Sequence, residues 1–270
     1  IGISIDGDRK CHDLQRTFVS GKGSYDTVKK NLLQAQRYYK NKIGTITTIT
    51  KQTAVHIEKI IEHLVLDLHI SNIKLNFVHA STYTHGQNQC LNTQEIADTE
   101  LRILYKIIEL QERGYDVMEH NIFIKLKNLL FREYTDICLS CGCCGGKKMI
   151  VFDMDGNIYP CELTDDASFV IGSIYKKESL IEQIKMTIDK DKAFFKMKKA
   201  VECEKCYWKF FCRGGCTVRA LSEKRQMEVI DIDHIECAIN QVLYPALMEL
   251  VLRKPHIVNQ MLGEDLLVDE

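Results

Sequence analysis

The sequence has no excess of charge of either sign: 36 Lys and Arg stand against 37 Asp and Glu, a formal net charge of −1. That balance removes the electrostatic case for nucleic acid or an anionic membrane as partner, because both are held by cationic surfaces. The sequence also lacks any run of eighteen consecutive apolar residues, the continuous length a bilayer-spanning helix needs. Its opening, IGISIDGDRK, has no charged-then-apolar secretory pattern. It starts without methionine in an apolar, strand-like stretch, as expected of a chain whose natural N-terminus lies upstream. There is no internal repeat and no low-complexity linker.

What is present is an ordinary globular balance, 45% hydrophobic and 27% charged over 270 residues, with an unusual endowment of sulfur. Ten of the twelve cysteines lie between positions 138 and 237. Disulfide scaffolds cluster in this way in short secreted chains. This chain is long, and its lysine-rich, helix-alternating first half is typical of a cytoplasmic enzyme, so metal ligation is the expected use.

The first half alternates β-rich runs with longer helical patterns. Strands are expected at 1–5, 42–50 and 72–80. Helices are expected after Ser24, with Val28, Leu32 and Ala35 in phase; over 53–70, with a stripe of Ile57, Ile60, Ile61, Leu64 and Leu68; and over 93–114, stopped at Gly114. Strand and helix in strict alternation imply a parallel sheet of βα units. A further helix is expected at 121–133. Beyond about 134 the pattern changes: MIVF and NIYPC flank an Asp-Gly turn as a hairpin, residues 173–200 read as helical, and a final helix with an acidic tail follows from about 235.

Two cysteine runs carry the chemistry. The second, CEKCYWKFFCRGGC, sets Cys203, Cys206, Cys212 and Cys216 within fourteen residues, and Cys237 follows. A two-residue gap lets two thiolates converge on one centre, for zinc and iron–sulfur sites alike. Tyr207, Trp208, Phe210 and Phe211 would wrap such a centre in low-dielectric surface, and the Gly214-Gly215 pair allows close backbone approach. The first run, CLSCGCCGG, contains Cys138, Cys141, Cys143 and Cys144, with Cys161 after the hairpin. Ten candidate ligands make two four-ligand sites with two to spare. Cys11 and Cys90 read as ordinary free thiols.

Over roughly residues 141–237, the order of seven cysteines and Gly156, with the wordings DGNIYPC and C-x-x-C-Y-x-x-F-x-C-x-G-G-C, resembles the SPASM region of radical S-adenosylmethionine (SAM) enzymes. That family includes anaerobic sulfatase-maturating enzymes and peptide maturases. The resemblance implies an α/β fold: the C-terminal half of a partial (β/α)6 barrel at 1–133, a small cysteine-rich α+β domain at 134–240, and a C-terminal helix and tail at 241–270. It implies two auxiliary [4Fe–4S] clusters. One would take ligands from the group Cys141, Cys143 and Cys144, with Cys161 and Cys216; the other would take Cys203, Cys206, Cys212 and Cys237. Which of Cys138, Cys141 and Cys144 adds to Cys143 is left open.

The stretch ISIDGDRKCHDLQR resembles the family's fourth barrel strand and following loop. By that resemblance Ser4 would meet the SAM ribose and Arg16 its carboxylate, pairings that suit a hydroxyl and a guanidinium. Glu162 stands where sulfatase-maturating enzymes carry an aspartate base, and a glutamate can serve as one. His79 and His85 flank a polar loop at the expected barrel mouth and read as solvated loop residues. The Cys-x3-Cys-x2-Cys motif that binds the SAM-cleaving third [4Fe–4S] cluster occurs nowhere in these 270 residues. The resemblance therefore places it upstream, in three earlier βα units that together make on the order of 100 residues, and this piece alone is not expected to cleave SAM.

The implied enzyme forms a 5′-deoxyadenosyl radical, abstracts hydrogen from a peptide or protein substrate, and draws electrons from a flavodoxin or ferredoxin. Thioether or related peptide cross-linking is the first expectation and sulfatase maturation to formylglycine the second. A module holding two structural zinc ions is the alternative of another class.

Overall fold

The computed structural model describes residues 1–39, 43–79, 87–132, 143–146, 148–164, 167–189, 201–224 and 232–263. The chain divides into two compact units. One contains Ile1–Val78, Asn88–Leu130 and the chain from Val242 onward; the other contains Phe131–Gln241 with the short stretch 79–87.

The first unit is built of βα repeats in chain order: β1 (Gly2–Ser4), α1 (Arg9–Asp13), α2 (Tyr25–Tyr38), β2 (Gly44–Ile49), α3 (Lys51–Ala54), α4 (Ile57–Glu62), β3 (Asn72–Phe77), α5 (Thr93–Glu112), β4 (Met118–Glu119) and α6 (His120–Phe131). The four strands pair in the order β1-β2-β3-β4, all parallel. β2 is GTITTI, β-branched after its first residue, and it buries Thr45, Thr47 and Ile49 while Ile46 stays half-exposed. Ser4 pairs with Ile46, so the end of β1 shares that less covered face.

The stripe expected over 53–70 is present, with Ile57, Ile61, Leu64 and Leu68 fully buried. The single helix expected there is instead three pieces: α3, α4, and a one-turn π-helix at His63–Asp67. Thr50 and Thr53 cap each other's backbone at the start of α3. α5 begins on a reciprocal Asn92/Glu95 cap and ends at Gly114, whose φ of 84° only glycine adopts freely.

β4 was not expected, because two residues show no period. Its last residue carries the pairing further: Glu119 Oε1 accepts from Leu75 N at 2.9 Å, and Asn121 Nδ2 donates to Leu75 O at 2.7 Å. Glu119 Oε2 also accepts from Ile122 N in the first turn of α6. These side chains replace the backbone that the short strand fails to supply. Burial pushes the Glu119 carboxyl up to about 7 despite its N–H donors.

In the second unit, β5 (Val151–Phe152), β6 (Asn157–Tyr159) and β7 (Gly172–Ser173) form an antiparallel sheet. The expected Asp-Gly hairpin joins the first two. Asp153 Oδ1 accepts from the N–H groups of Asp155 and Asn157, and Gly156 turns at φ 75°, where an added Cβ would lie 2.7 Å from Ile174. Helices α7 (Leu180–Asp189), α8 (Val201–Glu204), α9 (Lys209–Cys212) and α10 (Thr217–Lys224) follow.

The single helix expected from about 235 is two, α11 (His234–Arg253) and α12 (Pro255–Leu262), because Pro255 cannot continue the first. α12 packs on α5. By length and composition α11 would pass as a membrane span, with a mean hydropathy of 1.3. It buries Leu243, Tyr244 and Leu247 completely within the protein, and Asn128 Nδ2 donates to the Tyr244 hydroxyl.

Candidate metal centres and cofactor face

Cys161 directly follows the β5–β6 hairpin and is buried in an apolar cluster with Phe169, Val218 and Ala220. Cys143 and Cys216 pack against the same cluster. The hairpin thus delivers Cys161 to a point that Cys216 reaches from the start of α10, 55 positions later in the chain. Burial pushes the Cys161 thiol up to about 11, helped by the neighbouring Cys216 and Cys143. Burial raises the Cys216 thiol too, against the lowering influence of Arg219. Thiols in so dry a place stay protonated unless a cationic centre takes the sulfur.

Cys203, Cys206, Cys212 and Cys237 line a different cavity, together with Trp208 and Gln241. α8 and α9 each contribute a cysteine. Between α9 and α10 the backbone turns through three successive left-handed residues, Arg213, Gly214 and Gly215, at φ 54°, 94° and 71°. This turn points Cys216 away from the cavity its three predecessors share. Burial raises the Cys237 thiol, with Cys203 and Cys206 adding to the effect. Gln241 Nε2 stands 3.8 Å from Cys206 Sγ as a donor.

Cys144 departs from the expected ligand set. It is fully buried, and its sulfur is engaged in a disulfide; a disulfide sulfur offers no thiolate to a metal until it is reduced. Cys138 and Cys141 lie outside the described residues, as do His85 and most of the polar loop before Gln87. Cys11 is buried in α1 and Cys90 is half-buried. Glu162 is exposed on the residue after Cys161.

Among the described residues no three His, Cys, Asp or Glu side chains converge closely enough to hold one metal ion. The donor set fits clusters better: all-thiolate, aromatic-lined in one case and apolar-packed in the other.

On the first unit, Ser4 is exposed at the carboxyl end of β1. Arg16 is anchored by Asp6: Nε donates to Oδ2 of that carboxylate, which is 1% exposed and also accepts from Thr48 N at 2.8 Å. Arg16 Nη2 reaches Thr48 Oγ1. Buried His12 accepts from Asp6 N at Nδ1 and meets Ser24 Oγ through Nε2; burial lowers its pKa, favouring the neutral ring this bond requires. Asp6 and His12 were passed over in the sequence, although both lie inside the quoted ISIDGDRKCHDLQR stretch. Ser4 and Arg16 thus stand at the carboxyl ends of parallel strands, where ligands bind in such sheets.

No protein-family model matches the chain. Its sequence is 26% identical over 219 residues to the cysteine-type anaerobic sulfatase-maturating enzyme of Clostridium novyi (strain NT), a stretch covering 80% of this chain and 57% of that one. The chain is thus similar in sequence to an anaerobic sulfatase-maturating enzyme. A second such enzyme, from Clostridium perfringens (strain 13 / Type A), is 22% identical over 222 residues, with the same two coverages. The chain therefore spans less than two thirds of these relatives. Among solved structures, native anSMEcpe with bound AdoMet and Cp18Cys peptide superposes at a TM-score of 0.75 and 19% identity, covering 92% of this chain and 68% of that one. Native anSMEcpe with bound AdoMet gives 0.73 at 18% identity. The α/β architecture is the fold of these solved structures.

Proposed function

We propose that this chain is the later barrel portion and the auxiliary-cluster domain of a radical SAM enzyme that oxidises a side chain of a peptide or protein in the manner of sulfatase maturation. The observation that carries the reading is the division of seven cysteines into two groups, Cys143, Cys161 and Cys216 against Cys203, Cys206, Cys212 and Cys237. Two sites use that division, and their all-thiolate, aromatic-lined or apolar-packed surroundings favour clusters over two structural zinc ions. The relatives reverse the order of the two sequence expectations: sulfatase maturation now leads, and no observation favours peptide cross-linking.

Bound to the two cysteine groups, [4Fe–4S] clusters supply one-electron transfer. The chain's own residues do the rest. Arg16, held by Asp6 and Thr48, presents part of its guanidinium to a carboxylate such as that of SAM, and Ser4 offers a hydroxyl to a ribose. Fixing Arg16 before the ligand arrives lowers the ordering cost of binding. Glu162 carries an exposed carboxylate next to Cys161 and takes the proton that a substrate side chain gives up as it is oxidised to an aldehyde. A flavodoxin or ferredoxin is the electron donor we assign, and the cytoplasm, where such donors work, is the location we assign.

The full-length protein, reconstituted anaerobically, is expected to be brown, to contain iron and acid-labile sulfide, and to convert the target cysteine or serine of a sulfatase-derived peptide to an aldehyde with SAM and reductant, read by mass spectrometry. A colourless, zinc-loaded protein would refute the reading. A brown protein inactive on sulfatase peptides would leave the fold and overturn the substrate class.

A further inference from the structure

Between the two cysteine groups stands a buried aspartate whose carboxylate meets the backbone of Cys216 and whose main-chain oxygen meets that of Cys237. Asp233 is 1% exposed. Its Oδ2 accepts from Cys216 N at 2.7 Å, and its main-chain oxygen accepts from Cys237 N at 2.9 Å. Oδ1 accepts from Glu236 N at 3.1 Å, which makes Asp233 the N-terminal cap of α11. Arg219, one turn after Cys216 on α10, donates to the same Oδ2 from Nε at 3.0 Å and Nη2 at 2.7 Å. Its Nη2 also stands 3.2 Å from Glu236 Oε2. Gly215 is required by the same contact, since a Cβ there would lie 2.7 Å from Asp233 Oδ2. Asp233 also lines the second cavity.

We propose that the Asp233–Arg219 pair is an electrostatic bridge shared by the two cysteine groups, positioning Cys216 and Cys237 and setting together the reduction potentials of the centres they hold. The inference rests on the two-cluster reading above. The physical basis is that a cluster gains negative charge on reduction. A fixed cation nearby favours the reduced state, and a fixed anion disfavours it, most strongly where water is excluded. In the bridge one guanidinium faces two carboxylates, a sum of one negative charge. Removing the charge of Arg219 makes that sum one unit more negative, whereas removing the charge of Asp233 makes it one unit less negative.

The test is a potentiometric titration, followed by EPR, of the full-length protein reconstituted anaerobically. Arg219→Gln is expected to move the midpoint potentials of the auxiliary clusters to more negative values, Asp233→Asn to move them to more positive values, and Arg219→Lys to leave them near the parent. Opposite shifts from the two sides of one contact are not produced by simple loosening of the fold. Both clusters present in the parent, with Arg219→Gln and Asp233→Asn giving no shift or shifts of the same sign, would overturn the bridge alone. Absence of iron and sulfide from the parent would overturn the two-cluster reading and the bridge with it. If Arg219→Gln loses its iron, Asp233→Asn still decides, because a midpoint at or below that of the parent contradicts the proposal.

Discussion

The guanidinium of Arg16 is held at its Nε by Asp6, whose carboxylate is shut away from solvent and tied to the backbone of the neighbouring strand at Thr48. The arginine proposed to meet a carboxylate ligand is therefore held by a buried carboxylate of the chain itself. Asp6→Ala is expected to cost about 1–3 kcal/mol of stability, from the unpaired donors it leaves. SAM binding to the full-length enzyme should weaken by about tenfold or more as Arg16 loses its orientation. Thermal melts and calorimetric titration check the two effects separately.

The cysteine groups predict separable losses. Cys216→Ala should remove the centre shared with Cys161 and Cys143, and Cys237→Ala the centre shared with Cys203, Cys206 and Cys212. Each variant should retain about half of the auxiliary iron, because each site stands on its own thiolates. Iron and sulfide analysis with EPR distinguishes these outcomes. Loss of the same signal in both variants would show that Cys216 belongs with its sequence neighbours after all.

Glu119 predicts a pH dependence. Its carboxyl titrates near 7 in the folded chain, against an ordinary 4.5. Below about 4.5 the group is neutral in folded and unfolded chains alike, and its stabilising contribution is fully present. As the pH rises toward 7 the unfolded chain releases the proton while the folded chain retains it, so stability falls by about 3 kcal/mol in total. Denaturant titrations of the parent and Glu119→Gln between pH 4.5 and 8 should show this slope in the parent and its absence in the variant.

Gly215→Ala combines a left-handed backbone with a collision against Asp233. A loss of about 1–3 kcal/mol is expected, with the centre that needs Cys216 affected first. Urea melts of the apo-protein and iron retention after reconstitution measure both.

Glu162 is exposed and makes no structural demand on its surroundings. Glu162→Gln should therefore leave the fold and iron content intact while lowering turnover of the full-length enzyme by about 10²–10⁴. Glu162→Asp should recover most of the rate, and unchanged turnover in Glu162→Gln would remove the residue from the reaction.

The alternation of β-branched runs and apolar stripes was enough by itself to determine the parallel βα unit, because burying one face leaves a period in the sequence, as at Ile57, Ile60, Ile61 and Leu64. The spacing of Cys203, Cys206 and Cys212 was legible for the same reason: a short loop brings its own thiols together wherever it sits. The partners that come from afar were not legible from spacing alone. Only the tertiary structure brings Cys216 to Cys161 and Cys237 to Cys203, closes β4 with the Glu119 side chain, engages Cys144 in a disulfide, and places Asp233 against the backbone of both Cys216 and Cys237. Residues such as Asp6, Asp233 and Arg219 look like surface charges in a sequence, where burial has no signature. Their meaning depends on which groups face them once water has been excluded.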